Sequence, residues 1–130
     1  MDELLGKIIL DVNINNEKNE IVFLLSDGNK YSMKHIQDCC EDVVIDDING
    51  SLDDLLNSPI LKSECNSNEG SGDGIGESYT YSFYNMATIK GYVTIRWLGI
   101  SNGYYSEGVS LVHLGCFIDR VRDLKINKLI

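Results

Sequence analysis

The chain of 130 residues has no apolar run of about 18 residues, the length a membrane-spanning helix needs, and Met1-Asp2-Glu3 offers no basic, apolar start of the signal-peptide kind. A membrane protein and a secreted product are therefore not expected, and the cytoplasm is the expected compartment. Bases are scarce where acids abound. Residues 1–78 hold 17 of the 20 acids against five lysines, a local net charge of −12, whereas residues 79–130 carry +3, for −9 overall. A field of that sign repels phosphate backbones, so direct nucleic-acid binding is not expected, whereas a basic protein surface would be attracted. Phosphate-loop and calcium-loop chemistry are missing too. Gly72-Asp73-Gly74-Ile75-Gly76 has no strand leading into it and no following lysine, and Asp46-Asp47-Ile48-Asn49-Gly50 places its glycine in the wrong register for calcium. There is no internal repeat and no heptad run.

What is present suits one compact domain over 1–130, with 43% hydrophobic residues. Period-two alternation marks strands at 7–14, 20–26, 30–36 and 43–48, and Asp27-Gly28-Asn29 favours a tight turn between the second and third. SLDDLLNSP, from Ser51, reads as a short helix at 51–57, with Ser51 as cap, Asp53 and Asp54 at its positive end and Pro59 as its limit. Residues 66–78, NSNEGSGDGIGES, have almost no apolar content and predict an exposed, flexible loop. Three strand-like segments follow: YTYSFYNM, TIKGYVTIRWLG and YYSEGVSLVHL. Val93, Ile95 and Trp97 share one face, and Tyr92, Thr94 and Arg96 the other. The tail spaces Phe117, Val121 and Leu124 as an amphipathic helix would. The expected class is α+β: a mainly antiparallel sheet of six to seven strands, one short helix and one C-terminal helix.

The densest chemistry lies at 35–42, His-Ile-Gln-Asp-Cys-Cys-Glu-Asp. In a reducing compartment its thiols are expected as free groups or metal ligands rather than disulfides, and adjacent cysteines rarely bridge each other without strain. Zinc takes four nitrogen or sulfur donors in a tetrahedron, and His35, Cys39, Cys40 and the more distant Cys65 are the candidate ligands of a structural site. The spacing matches no standard zinc motif, and the alternative is a buried thiol beside a surface imidazole. A Cys–His catalytic pair is unattractive because the surrounding carboxylates raise a thiol's pKa, so no enzymatic activity is expected. Tyr79, Tyr81, Tyr84, Tyr92, Tyr104, Tyr105 and Trp97 crowd the last three strands. They read as ordinary strand composition or as a stacking surface with Arg96 as its cation. His113 is expected to be structural.

Residues 37–41 (QDCCE), 47–55 and the TIRW and SNGYYSE segments at 94–97 and 101–107 carry a further signal. Over about residues 30 to 112 the chain resembles a small uncharacterised domain of bacteriophages and prophages, and it is similar to zinc-carrying anti-CRISPR inhibitors of type II Cas9. The resemblance implies a non-enzymatic phage protein acting in the host cytoplasm, with Cas9 as its partner. Cas9 holds RNA and DNA in basic channels. An acidic surface of Asp38, Glu41, Asp42, Asp46, Asp47, Asp53 and Asp54 would engage such a channel, with structural zinc fixing the loop that presents it. The alternatives are a sponge for a nucleotide-like immune signal, with Arg96 in an aromatic pocket, and a metal-binding phage protein of other function.

Overall fold

A computed structural model describes residues 2–37, 40–71, 78–101 and 107–116, and the statements below concern these. Eight antiparallel strands form two four-stranded sheets. The first has the order β1 (Ile9–Ile14), β2 (Glu20–Leu25), β3 (Asn29–Lys34) and β8 (Ser110–Cys116). The second runs β4 (Asp42–Asn49), β7 (Gly91–Ser101), β6 (Ser78–Thr88) and β5 (Lys62–Ser71). Short-range polar chemistry sets the turns. The Asn15 side chain accepts the Asn19 and Glu20 amides at 2.9 and 3.1 Å and closes the β1–β2 turn, while Asp27 accepts the Asn29 amide at 3.0 Å before β3.

Alternation decides which side chains meet. Ile21, Phe23 and Leu25 of β2 face Met86 of β6 and Val93, Ile95 and Trp97 of β7 across a shared core, so the two sheets make a sandwich. Leu4, Leu55 and Ile60 seal that core from segments outside the strands. Trp97 is fully buried, and its neighbours along β7, Arg96 and Leu98, point to the opposite face.

The expected α+β class is overturned: the fold is all-β, with eight strands. The only helical segments among the described residues are single 3-10 turns at Asp2–Leu4 and Leu52–Leu55. At the second, Ser51 makes no side-chain capping bond and Leu56 is already extended, so the expected helix at 51–57 stops after one turn. Four residues with one buried side chain, Leu55, give a helix too little packing to outweigh its nucleation cost. β8 extends through Cys116, and the expected C-terminal helix falls on residues 117–130, which lie outside the described residues, as do 72–77.

The expected loop at 66–78 is also corrected, because 66–71 complete β5, paired in unbroken register with β6 from Lys62↔Ala87 to Ser71↔Ser78. This strand has no apolar alternation for a physical reason. It is an edge strand, and its inward residues Cys65, Ser67 and Glu69 face a polar cleft instead of the core.

One close approach carries the crossing from the second sheet back to the first. A Cβ on Gly99 would fall 2.6 Å from the Glu107 carbonyl oxygen and 2.7 Å from the Glu107 Cβ, so only glycine lets residue 107 lie on β7. Gly99→Ala is expected to lose about 1–3 kcal/mol in denaturant unfolding, the usual scale of overpacking. An unchanged midpoint would show that the segment does not rest on β7.

Candidate functional site

His35 follows β3 and turns inward. Its Nδ1 donates to the Gly108 carbonyl at 2.6 Å, which places Nε2 3.7 Å from the Glu41 carboxylate, with side chains 5% and 0% exposed. Gln37 donates to both the Glu41 carbonyl and its carboxylate at 2.7 Å. His35, Gln37 and Glu41 thus form a polar knot, with the His35 and Glu41 side chains buried, joining the end of β3, the start of β4 and the segment entering β8. Glu41, expected on an acidic surface, belongs to this knot.

The four expected zinc donors are not assembled by the described residues. Cys40 is exposed and disulfide-bonded, so it offers no thiolate, and Cys65 is a free thiol on β5 opposite Tyr84. Cys39 and Asp38 lie outside the described residues. Among the described residues no three His, Cys, Asp or Glu side chains converge as a metal would require. Among the described residues His35 meets the Gly108 carbonyl and the Glu41 carboxylate.

The other expected acids spread along one edge. Asp42, Asp46 and Asp47 are exposed on β4, the edge strand of the second sheet, where a register shift between Ile45 and Asp47 turns both of the last two outward. Asp53 is exposed and Asp54 half-buried at the 3-10 turn, which packs against the β6–β7 end of the sheet. Asp46 is committed to Arg96, whose Nε lies 2.7 Å from its carboxylate. Arg96 also lies 5.5 Å from the Tyr81 ring centroid, in an outer ladder with Tyr79 and Phe83. Trp97 faces the core and Arg96 faces outward, so the two do not line one pocket. His113 bonds Asn29 at 2.9 Å and packs on Tyr31, a structural role.

Sequence reasoning missed one polar cavity. A cleft of about 400 Å³ opens between β5, β6 and residues 107–109. At its base the Glu107 carboxylate, on a residue 6% exposed, accepts hydrogen bonds from Thr80 at 2.8 Å, Ser78 at 3.3 Å and Ser101. Three hydroxyl donors replace the water that a carboxylate loses on burial. Tyr84 donates to the Val109 carbonyl at 2.6 Å and closes the core side. The signal available in the sequence was the hydroxyl alternation Ser78, Thr80, Ser82 on the inward phase of β6, which strand composition alone does not distinguish from a solvated face.

Two expectations test this geometry. His35→Gln and Glu41→Gln should each destabilise the fold, and the double variant should lose less than the sum, with a coupling of about 0.5–3 kcal/mol in a denaturant double-mutant cycle. Strict additivity would show that the two groups do not interact. Burial first, and then the neighbouring Cys65, raise the Tyr84 phenol above its ordinary value. The folded state therefore favours the neutral phenol, and stability that is full below about pH 10 is lost as pH rises beyond it. Tyr84→Phe should flatten that alkaline slope, and an unchanged slope would contradict the assignment.

No curated protein and no solved structure matches the chain. Residues 2–111 match a domain of unknown function, and the chain belongs to this family, DUF7448.

Proposed function

We propose that the protein is a non-enzymatic binding module that presents the acidic edge of β4 to a basic surface on a protein partner. The observation that supports this reading most is the row Asp42, Asp46 and Asp47, exposed on an edge strand and prolonged by Asp53 at the next turn. Edge strands also carry inherently unsatisfied backbone groups, which a partner strand or loop can pair. Here the Lys18 carbonyl accepts the Ile45 amide at 2.7 Å and covers the middle of the edge, leaving the charges on either side of it to set the encounter.

Cas9 is the partner proposed, as a phage-encoded inhibitor would require, because its RNA and DNA channels are basic and an acidic module competes with nucleic acid for them. The attraction is electrostatic, so association should weaken as salt rises through the screening range.

The test mixes the full chain with purified Cas9 and guide RNA and measures co-elution and target cleavage. A stable complex with reduced cleavage is expected. The triple variant Asp42→Asn/Asp47→Asn/Asp53→Asn should weaken it about tenfold or more, mainly through slower association. No complex with any of several Cas9 types would reject Cas9 as the partner. Unchanged binding by the triple variant would reject the β4 edge as the surface.

A further inference from the structure

We propose that the free edge of β5 pairs antiparallel with β5 of a second copy of this chain, joining the two second sheets into one of eight strands. This edge lies on the far side of the sheet from β4, so the assembly leaves the acidic surface open and does not depend on a partner binding there.

The four sheet edges are built differently. An exposed edge is a template for another strand, and folds blunt it with a bulge, a proline, short length or a covering segment. β1 carries an extra residue, Leu10, between the pairs Ile9↔Leu25 and Asp11↔Leu24. β8 carries Leu114 between its pairs to Tyr31 and Lys30, and β4 carries Asp46 between its pairs to Trp97 and Arg96. Backbone bonds cover parts of two of these edges, from the Asn57 amide to the Ile9 carbonyl at 2.8 Å and from the Ile45 amide to Lys18. β5 has none of these devices. It runs ten residues without a proline, pairs with β6 without a bulge, and is exposed at every position from 64 to 69. Among the described residues no backbone hydrogen bond reaches β5 from any element except β6, so its outer row of N–H and C=O groups can accept another strand.

The sequence of β5 names the occupant. A two-fold axis normal to the sheet keeps each side chain on its own face, so opposed residues must be an even number of positions apart. Two such registers overlap by nine residues, centred on Asn66 or on Ser67, and only the first includes Lys62. There Asn66 meets its own copy, Glu64 meets Asn68 and Glu69 meets Ser63, so no carboxylate opposes another. The paired Asn66 amides can bond across the axis. Lys62 meets Gly70, and Tyr79 lies over that glycine so closely that a Cβ there would overlap its ring. The ring is 36% exposed, and the copy's lysine reaches it at both ends of the interface. β5 holds one lysine and two glutamates, whereas β4 holds three aspartates and no base, so a like-charged copy is repelled less at β5. The pair that forms leaves only bulged edges free, so growth stops at two.

Sedimentation velocity on the full chain, from micromolar to near-millimolar concentration, should show a monomer–dimer equilibrium and no larger species. Asn66→Asp sets two carboxylates on the axis, with Cβ atoms about 4.5–5.5 Å apart, and should weaken the dimer at least tenfold while the thermal midpoint of the dilute monomer is retained. Asn16→Asp adds the same charge at the exposed β1–β2 turn and should leave the dimer unchanged. Cys65 is an exposed free thiol, and in this register the two copies lie on a diagonal of about 7–8 Å. A short bismaleimide should therefore join them in a Cys116→Ser variant, and Cys65→Ser should abolish the product.

A monomer at every concentration overturns the proposal, including a monomer that instead captures an extended peptide along β5. A dimer that resists Asn66→Asp, that weakens equally with Asn16→Asp, or that cross-links through Cys116 in the Cys65→Ser variant overturns the β5 edge as its interface.

Discussion

The architecture turns on a buried carboxylate held by three hydroxyls. Glu107 lies where the chain leaves the second sheet for the first, and the bonds from Ser78, Thr80 and Ser101 fasten it to the inner face of β6 and β7. Without that fastening the polar end of the sandwich would be a hydroxyl-lined surface with nothing to close it. With it, residues 107–109 are fixed, the Val109 carbonyl meets Tyr84, and β8 is delivered to the free side of β3. Gly99 is the steric condition for the same contact. The inner face of the second sheet is consequently divided, dry around Trp97, Ile95 and Met86 and wet around Ser67, Ser82 and Glu69.

A second polar fastening works at the other crossing. His35 reaches back to the Gly108 carbonyl, while Glu41 and Gln37 hold its other side, so the passages from β3 to β4 and from β7 to β8 are tied together at one place. Among the described residues, the histidine and its carboxylate join two chain crossings. The acids that remain at the surface are those of β4 and the turn after it, and the proposed function rests on them.

Much of the fold was legible where one side of a strand is dry. The alternation of Ile21, Phe23 and Leu25, and of Val93, Ile95 and Trp97, marks strand and face together because each inward position loses water. β5 was not legible, since its inward side chains line a cleft and its outward ones meet solvent, leaving no apolar period to read. The short helix at 51–57 was over-read for the opposite reason. Ser51 with Asp53 and Asp54 imitates a helix start, but a single turn follows, and the chain reverses through Asn57 with φ at 62° to reach β5. At the site, residue types were recognised at 35–41 but their roles were set by distant partners: Gly108 lies 73 positions from His35. Glu107 looked like one more acid because its hydroxyl donors come from two other strands.

Glu107 is the residue that fastens β8 to the sandwich. Native-state hydrogen exchange on Thr80→Val, which removes one of the three hydroxyl donors while keeping shape, measures this directly. Faster exchange concentrated in residues 107–116 and in the β3 amides paired with them, with β1 and β2 still protected, is the expected result. Uniform loss of protection across both sheets, or none in β8, would contradict it.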